Sequence, residues 1–177
     1  RCAIESDFYV RDMLTWSLTR LPHEIVLPRV VDEASSHIAQ ARSQALHTLS
    51  KLGDPRGFDV ITGEHLHDAD DEVARASWRT AAGLVPYNQR EDLVRELVLE
   101  LGRGDLDVMR SLSRALVELG DAALQPLAAA TLGDGDSFGA SDGVNEGESK
   151  SAREAAAMHA RATLRLIEDP EATFVLE

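Results

Sequence analysis

The amino-acid sequence predicts an all-α fold in which pairs of helices repeat along the chain. Apolar residues follow one another at steps of three and four, which is the spacing of one helix face. This pattern returns at nearly constant intervals, and Gly, Asp and Pro separate its copies. A short helix pair cannot bury its apolar face alone, whereas stacked pairs can. The sequence therefore predicts an α-solenoid.

The repeat is clearest at Ala41, Ala45, Leu49 and Leu52, which are 4, 4 and 3 residues apart. Five such sets follow one another at spacings of 31, 33, 34 and 48 residues. One period of about 33 residues with a single insertion explains all of them. The first positions of the five sets are Val10, Ala41, Ala74, Val108 and Ala156. Second apolar segments are expected at 25–31, 58–61, 93–101 and 124–127, and a further helix is expected to begin within 170–177.

The amino-acid sequences of these sets resemble HEAT-like repeats. The same repeat pattern also occurs in phycobilisome lyases and in HEAT-repeat proteins of actinobacteria. The matching segments are Val10-Arg11…Leu18…Leu21, Ala41-Arg42…Ala45…Leu49…Leu52-Gly53-Asp54 and Ala74-Arg75. The resemblance covers residues 5–132 well and 150–177 less closely. It implies one domain, residues 1–177, of about four and a half HEAT-like repeats. Since this repeat serves many unrelated roles, the resemblance implies the fold more strongly than the function.

Residues 133–149 account for the one long spacing and are predicted to be a flexible insertion. They are rich in Gly and Ser and carry five acidic residues and no basic one. A calcium loop beginning at Asp134 is rejected, because Phe138 stands where an oxygen ligand is required and Asn145 occupies the place of the bidentate Glu.

The charge of the chain restricts its partners. There are 31 acidic and 18 basic residues, so the formal net charge is −13. Such a field disfavours nucleic acid and anionic membranes and permits a basic protein partner. No segment approaches the roughly 20 apolar residues that cross a bilayer. Cys2 is the only cysteine, which agrees with a reducing cytoplasm, and the preference for Arg over Lys is typical of a GC-rich bacterial genome.

The densest group of potential metal ligands is Glu64-His65-Leu66-His67-Asp68. Two histidines two positions apart diverge by about 200° on a helix, so they converge on a metal only if the helix has ended. The alternative is a helix end followed by an acidic cap, with Asp70 and Asp71 before the next helix. The latter interpretation is favoured, and neither a metal nor a cofactor is expected.

Two other patterns are predicted to be structural. Arg11, Arg42 and Arg75 occupy one register position in three successive repeats, and they are expected to tie adjacent layers together. Trp16 and Trp78 are expected to belong to the core. His47, at the register position of Trp16, is expected between layers.

The sequence predicts a non-catalytic module that binds a protein or peptide. The second helices of a solenoid line its concave face, and polar residues there suit a partner, although a plain solvated surface explains them equally well. An enzyme or bilin lyase is the alternative, followed by a DNA-binding or glycosylase protein. No nucleophile elbow or phosphate loop supports an enzyme. HEAT-like deoxyhypusine hydroxylases bind iron through His-Glu pairs that recur from repeat to repeat. This sequence has a single such pair, His23-Glu24, in an expected turn, which excludes that enzyme class. The predicted partner-binding residues are Arg29, Asp32, Asp59, Glu64, Asp92 and Arg95.

Overall fold

The computed structural model describes residues 4–132, 146–169 and 171–176, with the side chains of the last helix described from residue 150 onward. Helices dominate these residues and no strand occurs among them, which confirms the all-α prediction. The helices are α1 (Phe8–Leu18), α2 (His23–Ala34), α3 (Ala39–Leu52), α4 (Gly63–Leu66), α5 (Asp71–Leu84), α6 (Arg90–Val98), α7 (Leu106–Leu119), α8 (Asp121–Leu132) and α9 (Glu146–Glu168). Within this part of the chain, no helix combines the length and hydropathy that crossing a membrane requires.

The chain forms two compact units, Arg1–Pro86 and Tyr87–Glu177, called unit 1 and unit 2 below. Unit 1 contains α1 to α5 and unit 2 contains α6 to α9. This division does not test the single-domain prediction, because each repeat of a solenoid contacts only its neighbours.

In unit 1, α3 is the central helix and packs against α1, α2 and α5. The predicted face of α3 is buried as a set, with Ala41, Ala45, Leu49 and Leu52 all at or below 8% exposure. Asp70 caps α5 as predicted, since its carboxylate accepts hydrogen bonds from the amides of the first turn. The repeat pattern therefore identifies the buried faces of the inner helices correctly.

The second segment of the second repeat differs from the other second helices. It consists of a 3₁₀ turn, Pro55–Val60, followed by the single-turn α4. Asp54 caps the first piece, and a capping box between Thr62 and His65 begins the second. Two separate N-termini in this short stretch prevent one continuous helix.

In unit 2, α8 packs against α6 and α9, and α7 packs against α9 as well as α6 and α8. Gly102 lies between α6 and α7 with a φ of 83°, and a Cβ at this position would lie 2.9 Å from the backbone nitrogen of Ala156. A glycine is therefore required for both the turn and the close approach to α9.

The C-terminal part of the chain differs from two expectations, a further helix beginning within 170–177 and a flexible insertion at 133–149. Residues 171–176 form no helix; instead Arg165 donates a hydrogen bond to the carbonyl of Val175, and the Phe174 ring contacts His159 edge to face. These two contacts hold the segment in a non-helical conformation. Of the predicted insertion, 133–145 lies outside the described residues, whereas 146–149 already belongs to α9.

Candidate protein-binding site

An apolar groove runs across α3 in unit 1, between α1 and α2. Its cavity volume is about 270 Å³. The floor is formed by α3, where Ala41 and Ala45 present methyl groups and leave space between the flanking helices. The walls are aliphatic and belong to the end of α1 and to α2. The lining residues are Leu18, Leu21, Ile25, Val26, Arg29, Val30, Glu33, Ala41, Gln44, Ala45 and Thr48.

The polar groups of the floor are satisfied within the protein. The Gln44 amide donates to the hydroxyl of Thr15 at 2.8 Å, and the Thr48 hydroxyl donates to the Gln44 carbonyl at 2.7 Å. Because these groups already have partners, the floor presents little unsatisfied polarity. The interior of the groove therefore suits an apolar side chain.

Charged side chains stand at the rim on α2. Arg29 and Glu33 are four residues apart, so they share one face of the helix, and both are exposed. Within the described residues, neither side chain forms a hydrogen bond or an ion pair. The rim therefore offers one cation and one anion beside an apolar depression.

The six predicted partner-binding residues lie on different types of element. Arg29 and Asp32 lie on α2, whereas Asp59 and Glu64 lie in the 3₁₀ turn and in α4. The expectation that all six lie on regular second helices is therefore wrong for Asp59 and Glu64, because this segment has two starts. Asp92 and Arg95 lie on α6 in unit 2, where they form an exposed ion pair with each other.

The histidine-acid turn does not have the geometry of a metal site. The Nδ1 atom of His65 lies 3.2 Å from the Thr62 amide, which donates to it, and Nε2 lies 2.9 Å from the carbonyl of Ala34. Because Nδ1 accepts, Nε2 carries the proton and donates to that carbonyl. Nδ1 thus caps the start of α4, and Nε2 holds α4 against the end of α2. In the portion of the chain that the structure describes, no group of three or more His, Cys, Asp or Glu residues is placed to bind a metal.

His23-Glu24 begins α2, so the expectation that this pair lies in a turn is wrong. The His23 ring instead lies 3.3 Å from the Asp54 carboxylate. Arg56 binds both Glu24 and Asp54, and it lowers the pKa of each carboxyl group. The group ties the start of α2 to the turn after α3.

A buried serine-histidine contact in unit 2 is the arrangement that comes nearest to catalytic geometry. The Ser113 hydroxyl lies 2.9 Å from Nε2 of His159 and 2.7 Å from the hydroxyl of Thr163. The Gly102 amide donates to Nδ1 of His159, so Nε2 carries the proton of the neutral ring. A protonated Nε2 cannot accept the serine proton, as nucleophilic catalysis would require. Nε2 also lies 3.0 Å from the Met109 carbonyl, a second acceptor for this proton.

Burial lowers the pKa of His159 to about 4, against which the Met109 carbonyl raises it by a smaller amount. The ring is therefore neutral at physiological pH, and Ser113, His159 and Thr163 are each fully buried. The arrangement is a structural hydrogen-bond network between α7, α9 and the Gly102 turn. Sequence reasoning missed it. The spacing of four between His159 and Thr163 places them on one helix face, but it does not identify Ser113 as their partner.

Two further depressions occur in the described part of unit 2. One of about 380 Å³ is lined by Arg110, Arg114 and Phe174 among others. A larger one of about 610 Å³ contains Arg90, whose Nε is buried without a hydrogen-bond partner. Glu91 and Asp121 also line the larger one, and their carboxylates disfavour an anion beside Arg90.

The predicted arginine row is structural where its contacts are described. Arg42 forms a bidentate ion pair with Asp68, which lies before α5, so the layer-tying role is confirmed for this residue. Arg11 donates to the carbonyls of Glu5 and Ser6. Arg75 pairs with Glu72 in its own helix. The acceptors of all three arginines thus belong to the protein itself, which favours a structural role for the row.

The two tryptophans differ. Trp78 is fully buried and donates from Nε1 to the Leu66 carbonyl, which confirms its place in the core. Trp16 is 52% exposed, so its assignment to the core is wrong. Its ring lies on the side of α1 that no described helix covers, and the Arg20 guanidinium stacks over it at 4.7 Å.

No protein-family model matches the chain, and no curated protein is similar to it. The repeat pattern and the geometry of the two units therefore carry the functional argument.

Proposed function

We propose that this chain is a non-catalytic HEAT-like α-solenoid module that binds a protein or peptide through the groove between α1 and α2. The observation that carries the proposal is an apolar groove with two charged rim residues, Arg29 and Glu33, that have no partner in the described structure. The internal repeat at about 33 residues supports the solenoid arrangement. The satisfied tautomers of His65 and His159 favour binding over catalysis.

The dimensions of the groove favour a peptide side chain over a large cofactor. Small-molecule pockets occupy about 300–1,000 Å³, and this groove has about 270 Å³. It accommodates one or two large aliphatic or aromatic side chains. A bilin chromophore needs a more extensive pocket, so the groove supports the lyase alternative less well.

The rim indicates the chemistry of the partner. An exposed guanidinium without an ion pair binds a carboxylate in a bidentate manner, and Glu33 one turn later accepts a basic group. We propose a peptide segment with an apolar anchor residue, an acidic group beside it for Arg29 and a basic group one helical turn away for Glu33. The negative charge of the whole chain favours a partner that is basic outside this contact.

The proposal is tested by selecting a random peptide library on the intact chain and measuring the affinity of the enriched peptides by calorimetry. Enriched peptides should share an apolar anchor. Ile25→Asn removes the most exposed apolar wall residue and should weaken them about tenfold or more. Arg29→Ala should weaken those with an acidic residue beside the anchor.

The matched control is Ile38→Asn, which alters an exposed isoleucine outside the groove. Arg95→Ala tests whether the other predicted residues take part in binding, because Arg95 is one of the six residues predicted from the sequence but does not line the groove. Equal affinities for the original chain and for Ile25→Asn, or no enrichment at all, would refute the groove as the binding site. A loss with Arg95→Ala instead would move the site to unit 2.

A further inference from the structure

An exposed, mostly apolar stripe follows the outer side of α1. It consists of Tyr9, Met13, Trp16 and, in the turn after α1, Arg20, and is called the outer stripe below. The exposure of its first three members is 79%, 57% and 52%. Thr15, on the opposite side of α1, is the buried residue of this helix. The outer stripe therefore lies away from α3 and is separate from the groove.

The same register positions on the neighbouring helices are covered by another helix. On α3 they are Gln40, Gln44 and His47, which lie close to Glu5, Thr15 and Asp12 of the preceding repeat, with Gln40 donating to the Glu5 carbonyl at 2.7 Å. On α5 they are Val73, Ser77 and Thr80, all fully buried.

Thr80 of this second set donates to the Leu46 carbonyl of α3, and Val73 packs on the Leu46 side chain. Both α3 and α5 thus use this face to contact the first helix of the repeat before them. The outer stripe of α1 continues that row of helix contacts, and it is the member of the row that no described helix covers. Its surface is therefore shaped to receive a helix.

We infer that the outer stripe binds the outer stripe of a second copy of this chain, with the two α1 helices antiparallel. The members of the stripe are 4, 3 and 4 residues apart, so the spacing is the same whether the helix is followed from its N-terminus or from its C-terminus. An antiparallel copy consequently places Tyr9 opposite Arg20 of the second copy, and Met13 opposite Trp16 of the second copy. Both pairings are favourable, the first as a cation on an aromatic face and the second as sulfur on an indole.

The charges beside the stripe fit the same arrangement. Arg20 has its stacking contact with Trp16 and no ion pair among the described residues. Asp12 flanks the stripe, with a side chain that is 55% exposed. In the antiparallel pair, Arg20 of the second copy approaches both Tyr9 and Asp12. A parallel pair would instead bring the two Arg20 side chains together.

The available area agrees with a weak but specific dimer. Aromatic side chains bury about 150–250 Å² each, so the exposed fractions of Tyr9, Met13 and Trp16 sum to about 400 Å² per copy. Val10, which lies beside the stripe, brings the sum to about 500 Å². The total of about 1,000 Å² is at the lower limit of specific interfaces. We expect a dissociation constant of order micromolar, since small interfaces rarely bind more tightly.

Sedimentation equilibrium of the intact chain tests the dimer directly. The original chain should change from monomer to dimer as its concentration rises through the micromolar range. Met13→Glu places a charge in the centre of the interface, and we expect at least a tenfold weaker association. Leu99→Glu is the matched control, because Leu99 is a similarly exposed apolar residue outside the stripe, and it should leave association unchanged. Circular dichroism verifies that both variants are folded.

Cross-linking tests the antiparallel register. In a Cys2→Ser background, Met13→Cys and Trp16→Cys are prepared as separate chains and oxidised alone or mixed. The mixed sample should form disulfide-linked dimers faster than either chain alone. A monomer at every concentration, a dimer unaffected by Met13→Glu, or faster linkage of either chain with itself would each overturn the inference. A monomer that retains peptide binding in the groove would leave the proposed function intact.

Discussion

Units 1 and 2 differ in how many large apolar side chains they expose. Unit 1 exposes nine large apolar side chains among its described residues, and eight of these precede residue 26. Unit 2 exposes five and buries a hydrogen-bonded network of Ser113, His159 and Thr163. Exposed apolar surface is typical of an interaction site, whereas a satisfied buried network makes packing specific. Both units bury hydrogen-bonded polar side chains, among them Thr80 in unit 1, so the comparison concerns the exposed apolar surface, and it supports placing the proposed binding surfaces on unit 1.

The two units also differ in net charge, and unit 1 is the less negative of the two. Each carries nine basic residues, but unit 1 has thirteen acidic residues and unit 2 has eighteen. A second copy of the chain is repelled less by unit 1 than by unit 2. Most of the exposed large apolar residues are therefore on the unit where like-charge repulsion opposes association less.

The largest expected effect distinguishes the interior of unit 1 from its outer helix. Trp78→Ala removes a fully buried ring and its hydrogen bond to Leu66, and it should lower the free energy of unfolding by about 3–5 kcal/mol. Trp16→Ala removes an exposed ring and should cost less than about 1 kcal/mol. Urea unfolding followed by circular dichroism, at concentrations too low for dimers, measures both. Similar losses would contradict the assignment of α1 as an interaction surface.

The next effect concerns the buried histidine of unit 2. The folded-state pKa of His159 is about 4, below its usual value of 6.5, so the unfolded chain binds the proton more readily than the folded chain. Its contribution is fully present above pH 6.5, and it is lost progressively as the pH falls to about 4. The loss should reach about 3 kcal/mol.

Unfolding by urea between pH 7 and pH 4 measures this dependence. Because carboxyl groups titrate in the same range, the comparison is with His159→Gln, which lacks the titrating ring. The variant should be less stable at pH 7 and should lose less stability on acidification. Parallel pH profiles for the two chains would show that His159 is not shielded as the structure indicates.

A smaller effect concerns the ion pair that joins the layers of unit 1. Arg42 and Asp68 are mostly buried, with side chains 20% and 12% exposed. Arg42→Ala should cost about 1–2 kcal/mol, and Arg42→Lys should restore only part of it because lysine cannot bind the carboxylate in a bidentate manner. Arg95→Ala breaks an exposed pair and should have almost no effect on the urea midpoint. Equal effects at the two positions would make the Arg42 pair an ordinary surface contact.

The apolar faces and the caps of several helices could be predicted from the sequence. The spacing of Ala41, Ala45, Leu49 and Leu52 identified a buried face, and Asp70 was correctly expected to cap a helix. The pattern failed around the apolar segment 58–61, which was expected to belong to one regular second helix and instead lies across a 3₁₀ turn and the approach to α4. Capping by Asp54 and Thr62 competes with a continuous helix there, and such side-chain contacts are not visible in hydrophobic periodicity.

By itself, the sequence determined that the chain is helical, which face of each inner helix is apolar and where several helices begin, because these depend on contacts within about four residues. Only the tertiary structure decided that Trp78 is buried while Trp16 is exposed, since burial depends on whether another helix covers the face. It also decided that Ser113 meets His159, 46 residues away, and that Arg29 borders a groove floored by alanines. Contacts between distant residues arise from packing, for which the spacing of residues along one helix contains no information.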